Sequence, residues 1–315
     1  MRMKVSCASR LKRGQDARAP GFMKISIIGI GRVGGALALA LARNGYEIEG
    51  LVARNEKDFE RISKIFQVKP KLLLFEELKE IKSDVIFITT QDSEILNVAR
   101  SLAQNLQNKP FVFHTSGALS SEILQNLKSI GCKIGSIHPL ASISDAALGW
   151  KRFENAYFCV EGDEKAVEVA EQIVKNLKGK SFSIETKYKT LYHASAVTAC
   201  GHLVALIDVA IEMLTKCGLD EKNAREVLLP LIKSTIENLS IQTTATALTG
   251  TFARADLETL EKHLEILREN VSSEALEIYL QLGNRSTHLA EVQGADVEKL
   301  EKIRGKLSLA KKNLK

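Results

Sequence analysis

Along the first three fifths of the chain, short continuous apolar runs alternate with stretches of helical periodicity. Lys24–Ile28, Glu47–Ala53, Asp84–Thr90, Phe111–His114, Lys133–Ile137, Tyr157–Val160 and Ser181–Ile184 read as strands. Strands that are apolar at successive positions are covered on both faces, as in a parallel sheet. Gly35–Arg43 and Asp163–Leu177 read as helices between them, and Gln91-Asp92-Ser93 opens another with Asp92 or Ser93 as its N-cap. The alternation predicts an α/β, doubly wound (Rossmann) sheet. Ligands of such sheets sit beyond the carboxyl ends of the strands, where Thr89, His114, Ser116 and His138 all fall.

From about Lys187 the pattern is helical only. Lys189–Lys216 contains no breaker except Gly201, and its middle, Leu203–Leu214, is apolar nearly all round. Such a helix is expected to be buried inside a bundle or a dimer. A membrane span is the alternative, but His193, His202 and Asp208 interrupt the stretch, so no membrane association is expected. Leu219–Leu239, Asp256–Leu267, Ser272–Leu289 and Val297–Leu309 read as further helices, with a linker at Thr243–Ala255. The expected organisation is a nucleotide-binding domain over residues 23–186 and an all-α domain over residues 187–315.

Composition narrows the class. The chain has 315 residues, 45% hydrophobic and 26% charged, which excludes a disordered or fibrous protein. Five scattered cysteines without a CxxC pair argue against a disulfide scaffold or a zinc ribbon and fit a reducing, cytoplasmic compartment. No His/Cys/Asp/Glu cluster has ligand spacing, so no metal is expected. Of the net charge of +6, residues 1–22 carry +5, and the nearly neutral remainder argues against a nucleic-acid partner. Residues 1–22 lack periodicity, and three readings stay open for them: a start misassigned ahead of Met23, a short basic targeting peptide, or a disordered tail.

The run Gly29-Ile30-Gly31-Arg32-Val33-Gly34 matches GxGxxG directly after a strand and before a helix. Gly29 permits the tight turn, Gly31 a close approach of backbone to a pyrophosphate, and Gly34 close helix–strand packing. Thr89 and Thr90, ending a neighbouring strand, complete the expected cofactor edge. An acidic residue at the end of the second strand would bind the ribose 2′-hydroxyl of NAD; here the run is Val52-Ala53-Arg54-Asn55. Arg54 can pair with a 2′-phosphate, with Arg32 as a second cation, so NADP(H) is expected over NAD(H).

A dinucleotide domain followed by an all-helical one resembles the 6-phosphogluconate dehydrogenase-like superfamily. Within it, His114-Thr115-Ser116-Gly117, His138-Pro139-Leu140, Tyr192-His193-Ala194 and the Thr249–Asp256 run resemble the Rossmann-like proteins that carry domain of unknown function 2520. Relatives include pyrroline-5-carboxylate reductase, prephenate dehydrogenase, ketopantoate reductase and the 3-hydroxyacid dehydrogenases. The resemblance implies NADP-linked hydride transfer and a homodimer formed through the helical domain. It also favours Arg254 as a substrate ligand, with Asp256 beside it. The chain also departs from its relatives. His193 stands where the hydroxyacid dehydrogenases carry Asn, Gly201-His202 stands where the subgroup often has Asn, and Gly250-Thr251 and Arg254-Ala255-Asp256 stand where it often reads Gly-Pro and Arg-Gly-Asp.

Reduction of a carbonyl or imine needs a proton donor beside the hydride. Lys189 and His193, four apart, share one helix face and are the candidates, His193 titrating nearer neutrality. Lys189 can instead orient a substrate carboxylate. Ser116 can contact the nicotinamide or the substrate, and His138 the substrate. Plain alternatives exist for each: a satisfied buried histidine at 193, a solvated lysine at 189, structural histidines at 114 and 202, and an ion pair and N-cap for Arg254 and Asp256. Two functions follow. One is an NADP(H)-dependent oxidoreductase reducing a small oxo acid (ketopantoate-like) or a cyclic imine at an interdomain crevice. The other is a catalytically silent NADP(H)-binding sensor with a partner surface.

Overall fold

The computed structural model describes residues 23–53, 56–64, 66 and 70–314. The basic segment 1–22 and Arg54, on which the choice between NADP and NAD turns, lie outside the described residues. The chain divides into two compact units, the second beginning at Thr198.

The first unit holds one eight-stranded sheet. Its strands are β1 (Lys24–Ile28), β2 (Glu47–Val52), β3 (Lys71–Leu73), β4 (Val85–Ile88), β5 (Phe111–His114), β6 (Lys133–Pro139), β7 (Tyr157–Gly162) and β8 (Lys180–Phe182), in the order β3-β2-β1-β4-β5-β6-β7-β8. β1 to β6 run parallel, β7 is antiparallel to β6, and β8 is parallel to β7. The helices of this unit are α1 (Arg32–Arg43), α2 (Glu56–Ser63), α3 (Asp92–Asn105), α4 (Gln125–Ser129), α5 (Ala146–Gly149) and α6 (Glu164–Asn176).

The apolar runs are explained by burial on both faces. Ile27, Phe87 and Phe113 pack in one layer with Leu37 and Leu41 of α1 and Ile173 of α6. Ile28, Ile88 and Val112 pack in the opposite layer with Ile95 and Leu102 of α3 and Leu127 of α4. Each such leucine or isoleucine contributes roughly 1.5–3 kcal/mol by leaving water.

Several expected elements shift. α1 starts at Arg32, inside the glycine motif, rather than at Gly35. The N-cap of α3 is Gln91, and Asp92 is its first helical residue. β8 lies one to two residues before the expected strand, and β3 and α2 had no periodicity strong enough to predict them.

The long apolar helix is α7 (Lys189–Lys216), and the second unit begins within it. The expected division at residue 187 marks the start of the helical region, whereas the compact units part about ten residues later, because the first turns of α7 are tied to the sheet. The rest of the second unit consists of α8 (Glu221–Ile241), α9 (Gly250–Ala253), α10 (Leu257–Asn270), α11 (Ser273–Gln293) and α12 (Val297–Lys312). Asp220, Asp256, Ser272 and Asp296 cap α8, α10, α11 and α12 by accepting backbone N–H bonds, and Gly294 ends α11 in the left-handed conformation. Leu260, Leu264, Leu280, Leu300, Ile303 and Leu307 form the core of α10 to α12.

Within one chain α7 is only partly covered: residues 207 and 209–215 are half-buried, and Met213 packs against the core of α10 to α12. It is long and apolar enough to cross a membrane by length and composition, and none of its most apolar window is buried. The expected burial inside a bundle is therefore not met in the single chain.

Candidate active site

The glycine turn after β1 opens a cleft of about 750 Å3, lined by Gly29, Ile30, Gly31, Val52, Thr89 and Thr90 among others. Gly29 has φ +94°, and a methyl group there would lie 2.9 Å from Cγ2 of Thr90. At Gly34 a methyl would sit 2.0 Å from the carbonyl oxygen of Gly29, so α1 and the turn touch backbone to backbone. Gly31 faces open space, with nothing within 4 Å of an added methyl. α1 has no side-chain cap and no acidic residue in its first turn. Its free N–H groups and positive dipole end are thus open to an anion.

The two threonines divide the work. The Thr89 hydroxyl donates to the carbonyls of Ile28 (3.1 Å) and Gly29, so it braces the turn instead of offering itself to a ligand. The Thr90 hydroxyl is buried beside the cleft without a partner among the described residues. An orphaned hydroxyl of this kind calls for a ligand atom or water. Ile30 is spent on the core, Val33 is half-buried and Arg32 is exposed. The open Gly31, the uncapped helix end and Thr90 fit the phosphates of a dinucleotide.

Further along the same carboxyl edge, the 114–117 loop, the end of β6 and the first turns of α7 converge. The Tyr192 hydroxyl lies 2.6 Å from Nδ1 of His138, and the His138 and His193 rings meet edge-to-face with centroids 5.8 Å apart. A methyl on Gly117 would lie 2.6 Å from Cδ2 of His193 and 2.7 Å from Nε2 of His138, so only glycine lets both rings close over this loop. Burial, then the positive charges of His193 and Lys189, pull His138 down to about 4. Burial raises the Tyr192 phenol, so both groups are neutral at pH 7.

Lys189 does not join them. It is 1% exposed and its ammonium donates to Glu161 (2.7 Å) and to the Ser136 hydroxyl. Glu161 also accepts from the Ser121 N–H (2.8 Å) and hydroxyl (2.7 Å). Burial pulls the Lys189 ammonium down, and Glu161 opposes that shift. Lys189 is thus an internal anchor, neither a free proton donor nor a solvated lysine.

Ser116 is likewise committed. It is buried, its hydroxyl donates to Asp92 (2.8 Å), and it accepts from the N–H groups of Ala118 and Leu119. This bonding shapes the loop and leaves no hydroxyl proton for a substrate. His114 is fully buried, accepts from the Ser116 N–H at 3.2 Å, and is held down to about 4 by burial and then by Lys189.

Arg254 and Asp256 belong to the second unit. Asp256 is occupied as the cap of α10, accepting from the Thr259 N–H and hydroxyl. Arg254 is exposed, next to Ala255 at φ +49°.

Comparison with known proteins finds two family models along the chain, and the second begins inside the first unit. Residues 11–139 match the Rossmann-like domain model, and residues 156–286 match the model of a domain of unknown function, DUF2520. The chain joins a Rossmann-like domain to a DUF2520 domain. That pairing is consistent with the 6-phosphogluconate dehydrogenase-like superfamily which the motifs resemble. No match to the curated proteins was found. Among solved structures, a candidate NADP oxidoreductase from Bacteroides fragilis is 20% identical. The match covers 86% of this chain and 100% of that one, with a TM-score of 0.69. A protein from Thermotoga maritima is 25% identical, with 85% and 99% covered and a TM-score of 0.66. The NADP-bound pyrroline carboxylate reductase of Plasmodium falciparum is 14% identical, with 90% and 97% covered and a TM-score of 0.57. At these identities the likeness is one of fold.

The DUF2520 match begins at the start of β7, so Glu161, Lys189, Tyr192 and His193 all fall inside it. Glu161 and Tyr192 were not singled out from sequence as site residues. A signal for Glu161 was present: an acidic residue continuing the apolar run Phe158-Cys159-Val160 must find a partner. Tyr192 had only its place beside His193.

Proposed function

We propose that the protein is an NADP(H)-dependent oxidoreductase that reduces a small oxo acid (ketopantoate-like) or a cyclic imine. One observation carries the reading. A cleft with an uncapped helix end and an orphaned threonine hydroxyl shares a sheet edge with a neutral Tyr–His pair and a second, half-exposed histidine. The nicotinamide supplies hydride when bound. The chain's own residues do the rest. The N–H groups at the start of α1 and the Thr90 hydroxyl hold the phosphates, while Arg54 and Arg32 favour a 2′-phosphate and hence NADP over NAD. His138 directs a hydrogen bond at the substrate, and His193 gives the proton to the forming alkoxide or amine. Lys189 and Ser116 keep α7 and the loop in place.

Titration with NADPH followed by fluorescence, on the wild type and Arg54→Glu, tests the cofactor reading. NADPH oxidation against a panel of oxo acids and cyclic imines, with His193→Ala, tests the chemistry. Micromolar binding weakened in Arg54→Glu, with turnover that falls in His193→Ala, supports the reading. Tight binding without turnover across the panel favours a cofactor sensor, and failure to bind NADPH or NADH overturns both.

We also propose that α7 and α8 are covered by a second copy of the chain. Eleven large apolar side chains between Leu191 and Ile241 are more than a third exposed, among them Val204, Val227, Leu231 and Ile241. That is enough apolar surface for the ~800 Å2 per partner of a stable interface. Light scattering should give twice the chain mass for the wild type and the chain mass for Val204→Glu/Leu231→Glu. A monomeric wild type would refute this.

A further inference from the structure

We propose that Tyr192 is a positioning residue that fixes the tautomer of His138, so that His138 presents an Nε2–H, never a bare Nε2, to the space over Gly117. The argument starts from the contact between the phenol oxygen and Nδ1 at 2.6 Å. Either atom could carry the proton, but the two choices leave different residues unsatisfied. If Nδ1–H donated to the phenol, the half-buried phenolic proton would be left without an acceptor among the described residues. If the phenol donates to Nδ1, the phenolic proton and Nδ1 are satisfied by one bond, and the ring's proton moves to Nε2, where it is left free for a ligand.

The surroundings keep the ring neutral. The groups facing the ring are Tyr192, His193 and, further off, the Lys189 ammonium. Burial first, and then the Lys189 ammonium, disfavour a proton on each nitrogen, so the ring stays neutral and must choose one tautomer. Tyr192 is itself held from both sides: its ring packs edge-on against Phe182 of β8, and Lys189, one helical turn earlier on α7, is locked into Glu161. The buried ion pair therefore acts on the site through Tyr192. At the far side of the ring, Nε2 has no hydrogen-bond partner among the described residues and lies over Gly117, where a side chain would block it. The result is a directed, uncharged donor, suited to a carbonyl oxygen or an imine nitrogen, beside the separate proton source His193.

The assignment itself does not require the reductase reading; only its kinetic consequence rests on that reading. The decisive measurement is the ring 15N spectrum of His138 in the wild-type protein at pH 7, assigned by its loss in His138→Asn. The expected spectrum is that of a neutral ring protonated at Nε2. It should be accompanied by a slowly exchanging tyrosine hydroxyl proton that disappears in Tyr192→Phe. A neutral ring protonated at Nδ1, or a doubly protonated ring, overturns the proposal whatever the enzyme does.

In turnover, Tyr192→Phe should lower kcat about tenfold, the equivalent of one hydrogen bond of ~1.4 kcal/mol, with KM changed less than twofold. An unchanged kcat, in a protein that turns over, would overturn the positioning role. If the spectrum is as expected and no substrate is turned over, the reductase reading fails and the tautomer assignment stands.

Discussion

Replacing Lys189 by methionine removes one charge of a pair that has almost no water around it. The ammonium and the Glu161 carboxylate are 2.7 Å apart, with side chains 2% and 9% exposed. Breaking a buried pair from one side costs about 3–5 kcal/mol, because the remaining charge is stranded. Here the stranded carboxylate keeps two bonds from Ser121, so Lys189→Met belongs at the lower end, about 3 kcal/mol. Glu161→Gln leaves the ammonium with the Ser136 hydroxyl. Its pKa is already pulled down by burial, so it can shed its proton, and a similar loss of about 3 kcal/mol is expected. The double variant strands no charge and should lose about 2 kcal/mol less than the sum of the two. The assay is urea unfolding read by Trp150, the single tryptophan, which lies in the first unit with Arg43 stacked 4.3 Å from its ring. With a urea slope near ~3 kcal/mol/M, each single variant should move the midpoint down by about 1 M. NADPH affinity per folded molecule should be retained. A Lys189→Met protein with an unmoved midpoint and abolished turnover would refute the anchoring role and return Lys189 to the chemistry.

Three further outcomes follow from the same geometry. His114 and His138 are both held near 4, well below an unfolded histidine, so the unfolded chain binds more protons between about pH 6.5 and 4. Their contribution is therefore full above about pH 6.5 and is lost as pH falls toward 4, at up to ~1.4 kcal/mol per pH unit for each. Urea midpoints at pH 7 and pH 5 check this, and an equal drop in His138→Asn would count against it. Gly31→Ala meets only open space in the protein, so stability should change by less than about 0.5 kcal/mol, while NADPH binding weakens at least tenfold by the methyl's approach to the pyrophosphate. Unweakened binding would sink the proposed placement. Ala255→Gly relieves a left-handed alanine, worth ~1–2 kcal/mol, but loses a buried methyl and gains unfolded-state entropy, each about 0.8 kcal/mol. The terms nearly cancel, so thermal melting should barely move; a loss near ~1.6 kcal/mol, the sum of the two opposing terms, would show that the backbone there is unstrained.

The sheet was legible because its strands are apolar on both faces, and the glycine motif because each glycine answers a different steric demand. β3 and α2 were not, since three residues of strand and a single polar helix of two turns leave no periodic trace. The site was legible in its parts and not in its assembly. Lys189 and His193 share a helix face by spacing, and the structure keeps them on one side of α7, yet they do opposite work. The reason is depth. Lys189 stands where α7 leaves the sheet edge and reaches inward to Glu161, whereas His193, one turn later, reaches the loop at Gly117 and the ring of His138 at the end of β6.

Helical spacing gives direction and cannot give depth, which depends on what the neighbouring strands offer. β7 offers a carboxylate at the register position opposite Ser136 of β6, and β6 offers His138 two residues on. An antiparallel strand inserted beside β6 thus sets both ends of the site. It supplies the partner that takes Lys189 out of the chemistry, and the anchored helix then brings Tyr192 and His193 to His138. On this reasoning the proton chemistry of the site depends on the pairing of β6 with β7, not on the glycine motif that identifies the fold.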